Sequence, residues 1–141
     1  MLVTVDASLL AKLRFPEELS DKAAEIYDAW VRGKVSICAP QLIFYELVST
    51  ANKKVIAGSV SLEQAELAME YFLTEPLEVV TSDSLYREAL RIAQRLTLRS
   101  TYDAHYLAVA EDLDCEFWTA DERLYNGVRD RFPLIRWLGA S

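Results

Sequence analysis

The chain has 141 residues, of which 52% are hydrophobic, and a formal net charge of −7 at pH 7. A chain of this length is typical of one domain with a substantial core, so we expect a single domain over residues 1–141. The acidic balance argues against a broad basic surface for nucleic acid, although acids gathered around a bound cation would also contribute to it.

The cysteines and the apolar segments indicate the compartment. Cys38 and Cys115 form no CxxC motif and no Cys/His cluster, which argues against a zinc finger or a disulfide scaffold and fits a reducing cytoplasm. No apolar run approaches the ~20 residues that span a bilayer, and Asp6 interrupts the N-terminal apolar run. We therefore expect a cytoplasmic protein with no signal peptide and no membrane partner.

Short apolar segments alternate with helical segments along the chain. The predicted strands cover residues 2–6, 35–39, 77–81, 115–119 and 134–138. The predicted helices cover residues 8–14, 21–32, 41–57, 62–74, 82–97, 101–113 and 121–127. Ser20 and Asp21 are predicted to cap the second helix, and Ser61 and Gln64 to form a capping box on the fourth. This alternation favours an α/β fold in which helices cover both faces of a mostly parallel, five-stranded sheet.

Two aspartates each follow a predicted strand and precede a predicted helix. Asp6 ends the first strand, and Asp121 follows the fourth. The carboxyl ends of parallel strands share one edge of a sheet, where ligand sites form. Asp is also a preferred helix N-cap, so each residue alone could have a purely structural role. Two acids on one edge are more informative than either alone.

Two further acids lie on predicted helices. Asp103 is in the first turn of the segment 101–113, which is apolar nearly all round and is therefore predicted to be buried. A capping box with Ser100 would explain Asp103, but a cation would also satisfy a carboxylate that faces a buried surface. Glu46 lies in mid-helix on a face that is half apolar and half small polar, where an ordinary surface glutamate is the alternative interpretation.

Four carboxylates suit one kind of chemistry. Mg²⁺ and Mn²⁺ prefer oxygen ligands, and ions of this kind can clamp a phosphodiester and activate water for attack on phosphorus. The sequence contains no GxxxxGK[ST] P-loop, no GxGxxG dinucleotide fingerprint and no GxSxG or Cys/His nucleophile system. The residues therefore favour a carboxylate metal site over these alternatives.

These acids and their flanking residues resemble those of the PIN-domain ribonucleases, and among them the VapC-type toxins of prokaryotic toxin–antitoxin pairs. The resemblance spans nearly the whole chain and rests on the segments VTVDAS, PQLIFYEL, TYDAHYLAVAE and WTADERL. It implies a three-layer α/β/α PIN-like domain with strand order 3-2-1-4-5 and the first strand at the centre. It also implies that Mg²⁺ or Mn²⁺ is held by Asp6, Glu46, Asp103 and Asp121, with support from the Thr119 hydroxyl.

The resemblance has further implications for partners and for the cysteines. It implies an RNA substrate that is cut at single-stranded or exposed positions, a homodimer, and inhibition by an antitoxin protein. In the implied strand order, Cys38 and Cys115 lie on strands to either side of the first, roughly 9–10 Å apart, which is too far for a disulfide. We therefore predict two free, buried thiols.

Several basic side chains are candidates for contact with RNA phosphate. The candidates are Lys53, Lys54, Arg123, Arg91, Arg95 and Arg99. Lys53 is the best placed, because it lies two turns beyond Glu46 on the same side of the predicted helix. Solvated surface is the alternative interpretation for each. His105 is two residues from Asp103 and does not share its helix face, so we do not expect His105 to act as a base.

These observations support two functional hypotheses. The first is an Mg²⁺- or Mn²⁺-dependent endoribonuclease that hydrolyses RNA with metal-activated water and is the toxin of a toxin–antitoxin system. The second is a catalytically silent domain of the same fold that binds protein or RNA, which the acidic charge and the high apolar content favour. The complete set of four acids favours the first hypothesis.

Overall fold

The computed structural model describes residues 1–140. Its strands are β1 (Leu2–Val5), β2 (Ser36–Pro40), β3 (Leu77–Val80), β4 (Glu116–Thr119) and β5 (Ile135–Trp137). Its α-helices are α1 (Ala7–Ala11), α2 (Ser20–Arg32), α3 (Leu42–Ile56), α4 (Leu62–Thr74), α5 (Asp83–Leu96), α6 (Thr101–Leu113) and α7 (Glu122–Val128). All strand pairs are parallel, and the order across the sheet is β3-β2-β1-β4-β5, which confirms the predicted fold and strand order.

The central strand, β1, is buried on both faces of the sheet. Val3, Thr4 and Val5 point alternately to opposite faces, and each is 0% exposed. A parallel strand covered on both sides is expected to be a continuous run of mostly apolar residues, as this one is. Because β1 pairs with β2 on one side and with β4 on the other, its carboxyl end lies in the middle of the sheet edge.

Helix α6 packs against the sheet near this edge and is buried along its middle turns. Its buried residues are Ala104, Tyr106, Leu107, Ala108, Val109 and Ala110. The helix contacts β1, β2 and β4, and it packs along α5. The prediction that the segment 101–113 is buried is therefore confirmed, and the burial brings the first turn of α6 close to the end of β1.

Two predicted helix boundaries are wrong. Helix α2 begins at Ser20 and follows Leu19, whose backbone is left-handed with φ of 69°. Ser20 does not cap the helix, because its hydroxyl oxygen instead accepts a hydrogen bond from the Glu17 N–H (2.9 Å). The first helix ends at Ala11 rather than at residue 14, since the chain continues in tight turns that carry Phe15 into the core.

The predicted capping box of α4 and the two predicted free cysteines are confirmed. The Ser61 hydroxyl accepts from the Gln64 N–H (3.0 Å), and the Gln64 side chain accepts from the Ser61 N–H (2.8 Å), which completes the capping box of α4. Cys38 and Cys115 are both free and buried. Within residues 1–140, no helix is long and apolar enough to cross a membrane.

Candidate active site

The neighbouring strands β1 and β4 bring two aspartates to one edge of the sheet. Asp6 follows β1 and caps α1, where its Oδ1 accepts a hydrogen bond from the Leu9 N–H (3.1 Å). Asp121 caps α7 in the same way, and its Oδ1 accepts from the Leu124 N–H (3.1 Å). Both acids therefore cap a helix, as the purely structural interpretation of the sequence proposed. Both also line the cleft described below, so capping is not their whole environment.

Two hydroxyl groups hold the Asp6 carboxylate in place. Ser8 Oγ donates to Asp6 Oδ1 (2.6 Å), and Thr119 Oγ1 donates to Asp6 Oδ2 (2.5 Å). The same hydroxyls accept from the backbone at the end of β4: Ser8 from the Ala120 N–H and Thr119 from the Asp121 N–H, both at 3.0 Å. Each hydroxyl thus joins the carboxyl end of β1 to that of β4.

The Asp6 carboxyl group is almost completely buried. It is 5% exposed, and burial raises its pKa from 3.8 to about 7. The hydrogen bonds from Ser8, Thr119 and Leu9 oppose this shift, whereas the negative charge of Asp103 adds to it. Loss of hydration therefore outweighs three hydrogen bonds, and the ionised carboxylate lacks a cationic partner among the described residues.

Asp103 lies in the first turn of α6 and is half-buried. Within residues 1–140 its carboxylate accepts no hydrogen bond, and the Ser100 hydroxyl accepts from the Tyr102 N–H (3.3 Å), so the alternative Ser100–Asp103 capping box does not form. Burial, followed by the charges of Asp121 and Glu46, raises the pKa of Asp103 to about 6. These mutual effects indicate that the acids lie close enough to repel one another.

Glu46 is not an ordinary surface glutamate. It is half-buried on α3, and its Oε1 accepts a hydrogen bond from the hydroxyl of Tyr106 on α6. Tyr106 is 1% exposed, and its pKa is raised by burial and then by the charge of Glu46. This contact links two helices that approach the sheet edge from different parts of the chain.

All four acids line one cleft of about 660 Å³. The other polar side chains along it include Ser8, Ser49, Thr50, Lys53, Tyr45 and Tyr102. Within residues 1–140, no three Asp, Glu, His or Cys side chains are close enough together to hold one metal ion as they are placed. The acids therefore share a cleft without forming a ready-made ion site. A carboxylate donor set of this kind nevertheless has the chemistry that a hard divalent cation requires.

The candidate phosphate-binding residues lie in different environments. Lys53 is exposed and lines the cleft with the acids. Lys54 pairs with Glu17 (2.7 Å), which also pairs with Lys12 (3.2 Å). Arg123 is exposed and does not line this cleft. Among the described residues, Lys53 is thus the basic side chain that lines the cleft together with the four acids.

The remaining candidates lie away from the acids. Arg91 pairs with Glu88 (2.5 Å) and Arg95 with Glu111 (2.8 Å), both on the exposed surface. His105 lines a neighbouring pocket, and its Nδ1 is 2.7 Å from the Thr101 carbonyl oxygen. His105 thus lines the neighbouring pocket and is not among the residues that line the cleft.

Two residues that hold the acids in place are absent from the sequence-based set. Ser8 was used only to predict the start of a helix, and Tyr106 was not singled out. The available signal for Tyr106 was its position three residues after Asp103, on the same face of α6. For Ser8 it was a polar side chain directly after the first strand, next to Asp6.

Comparison with known proteins identifies the family. The chain matches the PIN domain family over residues 3–128. The chain belongs to the PIN-domain family. This PIN domain is also 30% identical over 138 residues to Ribonuclease VapC3 of Pyrobaculum aerophilum, which covers 96% of this chain and 98% of the relative. The resemblance inferred from the sequence motifs is therefore confirmed.

Solved structures show the same fold at lower sequence identity. The structure of VapBC2 from Rickettsia felis, bound to a DNA fragment from its promoter, has a TM-score of 0.71 and 14% identity, and the match covers 96% of this PIN domain and 98% of that chain. A toxin–antitoxin complex from Klebsiella pneumoniae has a TM-score of 0.67 and 16% identity, with 96% and 97% of the two chains covered. At these identities the likeness shows the fold alone.

Proposed function

We propose that this PIN domain is an endoribonuclease that depends on a divalent metal ion and hydrolyses RNA phosphodiester bonds. The observation that carries the proposal is the presence of Asp6, Glu46, Asp103 and Asp121 around one cleft. The similarity to Ribonuclease VapC3 along nearly the whole chain supports the same activity. The second hypothesis, a catalytically silent PIN-fold domain that binds protein or RNA, rests on the net charge of −7, which is unfavourable for RNA, and on the hydrophobic content of 52%.

The four acids are the residues that would hold Mg²⁺ or Mn²⁺. Such an ion, when bound, supplies Lewis-acid stabilisation of the phosphodiester charge and activates water. Ser8 and Thr119 orient the Asp6 carboxylate, and Tyr106 orients Glu46. The Asp103 carboxylate accepts no hydrogen bond from the described part of the chain. It can therefore turn toward a cation without losing a hydrogen bond.

We propose that Lys53 attracts the RNA phosphate to the cleft by its positive charge. Carboxylates that repel one another would also repel an RNA phosphate, and Lys53 supplies positive charge at the cleft. Lys54 and Arg123 are proposed to make weaker contacts, because Lys54 shares Glu17 with Lys12 and Arg123 lies outside the cleft.

The decisive experiment is RNA cleavage with Mg²⁺ or Mn²⁺, compared between wild type, Asp6→Asn and Asp103→Asn. We expect both variants to lose at least ~100-fold in rate, and EDTA to abolish the wild-type activity. Asp112→Asn is the matched control, because Asp112 is an exposed acid at the other end of α6 and should leave the rate unchanged. Wild-type rates in both variants would contradict the site.

Calorimetric titration with Mn²⁺ separates the two hypotheses independently of activity. Wild-type protein should bind Mn²⁺, and Asp103→Asn should weaken this binding, whereas Asp112→Asn should not. Wild-type protein that neither binds Mn²⁺ nor cuts any RNA would favour the silent interaction domain.

We further propose that the protein is the toxin of a toxin–antitoxin pair, acts in the cytoplasm and forms a homodimer. The VapC-type motifs of the sequence and the similarity to Ribonuclease VapC3 support an antitoxin partner. The antitoxin would be encoded by a small open reading frame next to this gene, and the purified antitoxin should bind this PIN domain and inhibit its cleavage of RNA. Sedimentation equilibrium of the purified chain tests the dimer, since a monomer at all concentrations would exclude it.

A further inference from the structure

A second pocket, of about 250 Å³, adjoins the acidic cleft. We call it the tyrosine pocket, after Tyr45, Tyr86 and Tyr102, which line it together with His105. Tyr45 and Tyr102 line both the tyrosine pocket and the acidic cleft, so the two spaces are adjacent. A base beside a phosphodiester that lies among the acids is therefore close to the tyrosine pocket.

The three tyrosines expose an unusual amount of aromatic surface. Tyr45, Tyr86 and Tyr102 are 68%, 64% and 59% exposed. They belong to three different helices, α3, α5 and α6, which meet at this pocket. The Tyr86 ring packs edge-on against the His105 ring, with centroids 6.0 Å apart and planes inclined by 70°. Aromatic side chains of this kind stack on the flat face of a nucleobase, whatever its identity.

The pocket also offers polar atoms for the edge of a base. His105 Nδ1 lies 2.7 Å from the Thr101 carbonyl oxygen, and a carbonyl only accepts, so Nδ1 must donate. In the neutral ring, Nε2 is then left as an acceptor. Gln41 and Ser82, which also line the pocket, have side chains that donate and accept.

The charge distribution favours a single RNA strand across this region. The chain carries a net charge of −7, and among the described residues Lys53 is the cation that lines the cleft. Phosphate contacts alone therefore give little affinity, so base stacking has to supply more of it. The cleft shares Ser8, Thr50 and Lys53 with a third pocket, which Lys12 and Lys54 line together with their ion-pair partner Glu17. Lys53 is therefore the cation of this pocket that is not paired with Glu17.

We propose that the tyrosine pocket is a nucleobase subsite, which seats an unpaired base of the RNA strand beside the phosphodiester that is cut. This inference rests on the proposed ribonuclease function and assigns recognition of the base beside the cut to Tyr45, Tyr86 and Tyr102. A paired base would have its edges occupied and its faces covered by neighbouring base pairs, so it could not enter the pocket.

The test combines protein variants with abasic RNA. The substrate is an unstructured RNA oligonucleotide that wild-type protein cuts at a mapped position, together with copies that carry one abasic site at each position in turn. We expect one abasic position next to the cut to lower kcat/KM by roughly ten- to a hundred-fold, and Tyr45→Ala or Tyr102→Ala to do the same. Combining the abasic site with either variant should cause little further loss, because both remove the same stacking contact.

Matched variants separate stacking from other roles. Tyr45→Phe and Tyr102→Phe keep the aromatic face and should restore most of the kcat/KM that the alanine variants lose. Leu67→Ala is the control for truncation of an exposed helical side chain, because Leu67 is 60% exposed on α4 and lines neither pocket. All five substituted proteins should give the wild-type circular dichroism spectrum and thermal transition.

Three results would overturn the inference, and they are distinguishable. Alanine variants with wild-type kcat/KM, or losses that add fully to those of the abasic sites, would show that no base binds at the tyrosines. Alanine variants that convert a dimer to a monomer while still cutting RNA normally would assign the tyrosines to an interface between copies. Wild-type protein that cuts no RNA would instead refute the proposed function, and the subsite with it.

Discussion

The Asp6 side chain is held by opposing effects of burial and hydrogen bonding. Three donors, from Leu9, Ser8 and Thr119, stabilise the ionised carboxylate. Burial at 5% exposure disfavours the same charged form by more, and the pKa rises to about 7. In metal-free protein the ionised Asp6 is therefore a source of instability near neutral pH, and a bound cation would remove it.

This imbalance predicts that the stability of the metal-free protein depends on pH. The pKa of Asp6 is about 7 in the folded state against 3.8 for a fully hydrated aspartate, so between these limits the folded state binds more protons than the unfolded state. The free energy of unfolding should therefore fall as pH rises from about 4 to about 7, by up to roughly 4 kcal/mol at ~1.4 kcal/mol per pKa unit. Urea denaturation in EDTA at a series of pH values measures this slope.

Asp6→Asn isolates the contribution of this one group. Asn is also a good N-cap, so the substitution keeps the hydrogen bond to the start of α1 and removes the titrating group. The variant should have a flatter profile, with the remaining slope coming from Asp103, whose pKa is raised to about 6 by burial and by neighbouring acids. Asp112→Asn should keep the wild-type slope. An unchanged slope in Asp6→Asn would contradict the assignment.

At the scale of elements, the ends of helices decide where side chains of the site lie. Asp6 and Asp121 each end the connection from a strand and start a helix, so a capping hydrogen bond fixes each near the sheet edge. Glu46 and Lys53 lie on the same helix, α3, and both line the cleft. Helix α6 contributes Asp103 and Tyr106 to the cleft, since they are three residues apart on one face.

The capping box of α4 provides a test of how much such a helix end contributes. Ser61→Ala removes the hydroxyl that accepts from the Gln64 N–H, and it should lower the free energy of unfolding by about 1 kcal/mol. Ser59→Ala is the matched control: Ser59 is exposed, its side chain makes no hydrogen bond within residues 1–140, and its substitution should change stability by less than ~0.5 kcal/mol. Equal effects of the two substitutions, measured by urea denaturation, would contradict the role of the box.

At the scale of the whole molecule, the strand order separates the two cysteines. Cys38 lies in β2 and Cys115 directly precedes β4, with β1 between these strands. Two strand spacings are roughly 9–10 Å, beyond the reach of a disulfide. Cys38 is 1% exposed and Cys115 7%, and burial raises the pKa of both thiols, that of Cys38 to about 11.

The thiols should therefore be protected in the folded protein. Both should react with Ellman's reagent at least ~100-fold more slowly in native buffer than in guanidinium, because the reactive thiolate is scarce and inaccessible. The variants Cys38→Ala and Cys115→Ala each leave one thiol, so they show which reaction rate belongs to which cysteine. A peptide that links Cys38 to Cys115 after digestion without reductant would contradict the strand order itself.

The sequence alone determined the elements and the positions of the four acids along them. Alternating apolar strands and helices predicted a parallel sheet, and Asp6 and Asp121 were assigned to one edge because each directly follows a strand. These inferences depend on local periodicity and on chemistry at element ends, which a sequence displays directly. The boundary at Ser20 was wrong because its hydroxyl bonds to Glu17 in the preceding turn, and local patterns do not specify which of two nearby partners a hydroxyl takes.

Only the tertiary structure decided how the acids are held and what surrounds them. The contact of Tyr106 with Glu46 and that of Thr119 with Asp6 join positions 60 and 113 residues apart. The tyrosine pocket likewise combines side chains of α3, α5 and α6. The separation of the carboxylates and the burial that raises the pKa of Asp6 and Asp103 are also results of packing between distant segments. Such contacts depend on side-chain conformation and on the approach of separate elements, neither of which leaves a periodic pattern in the sequence.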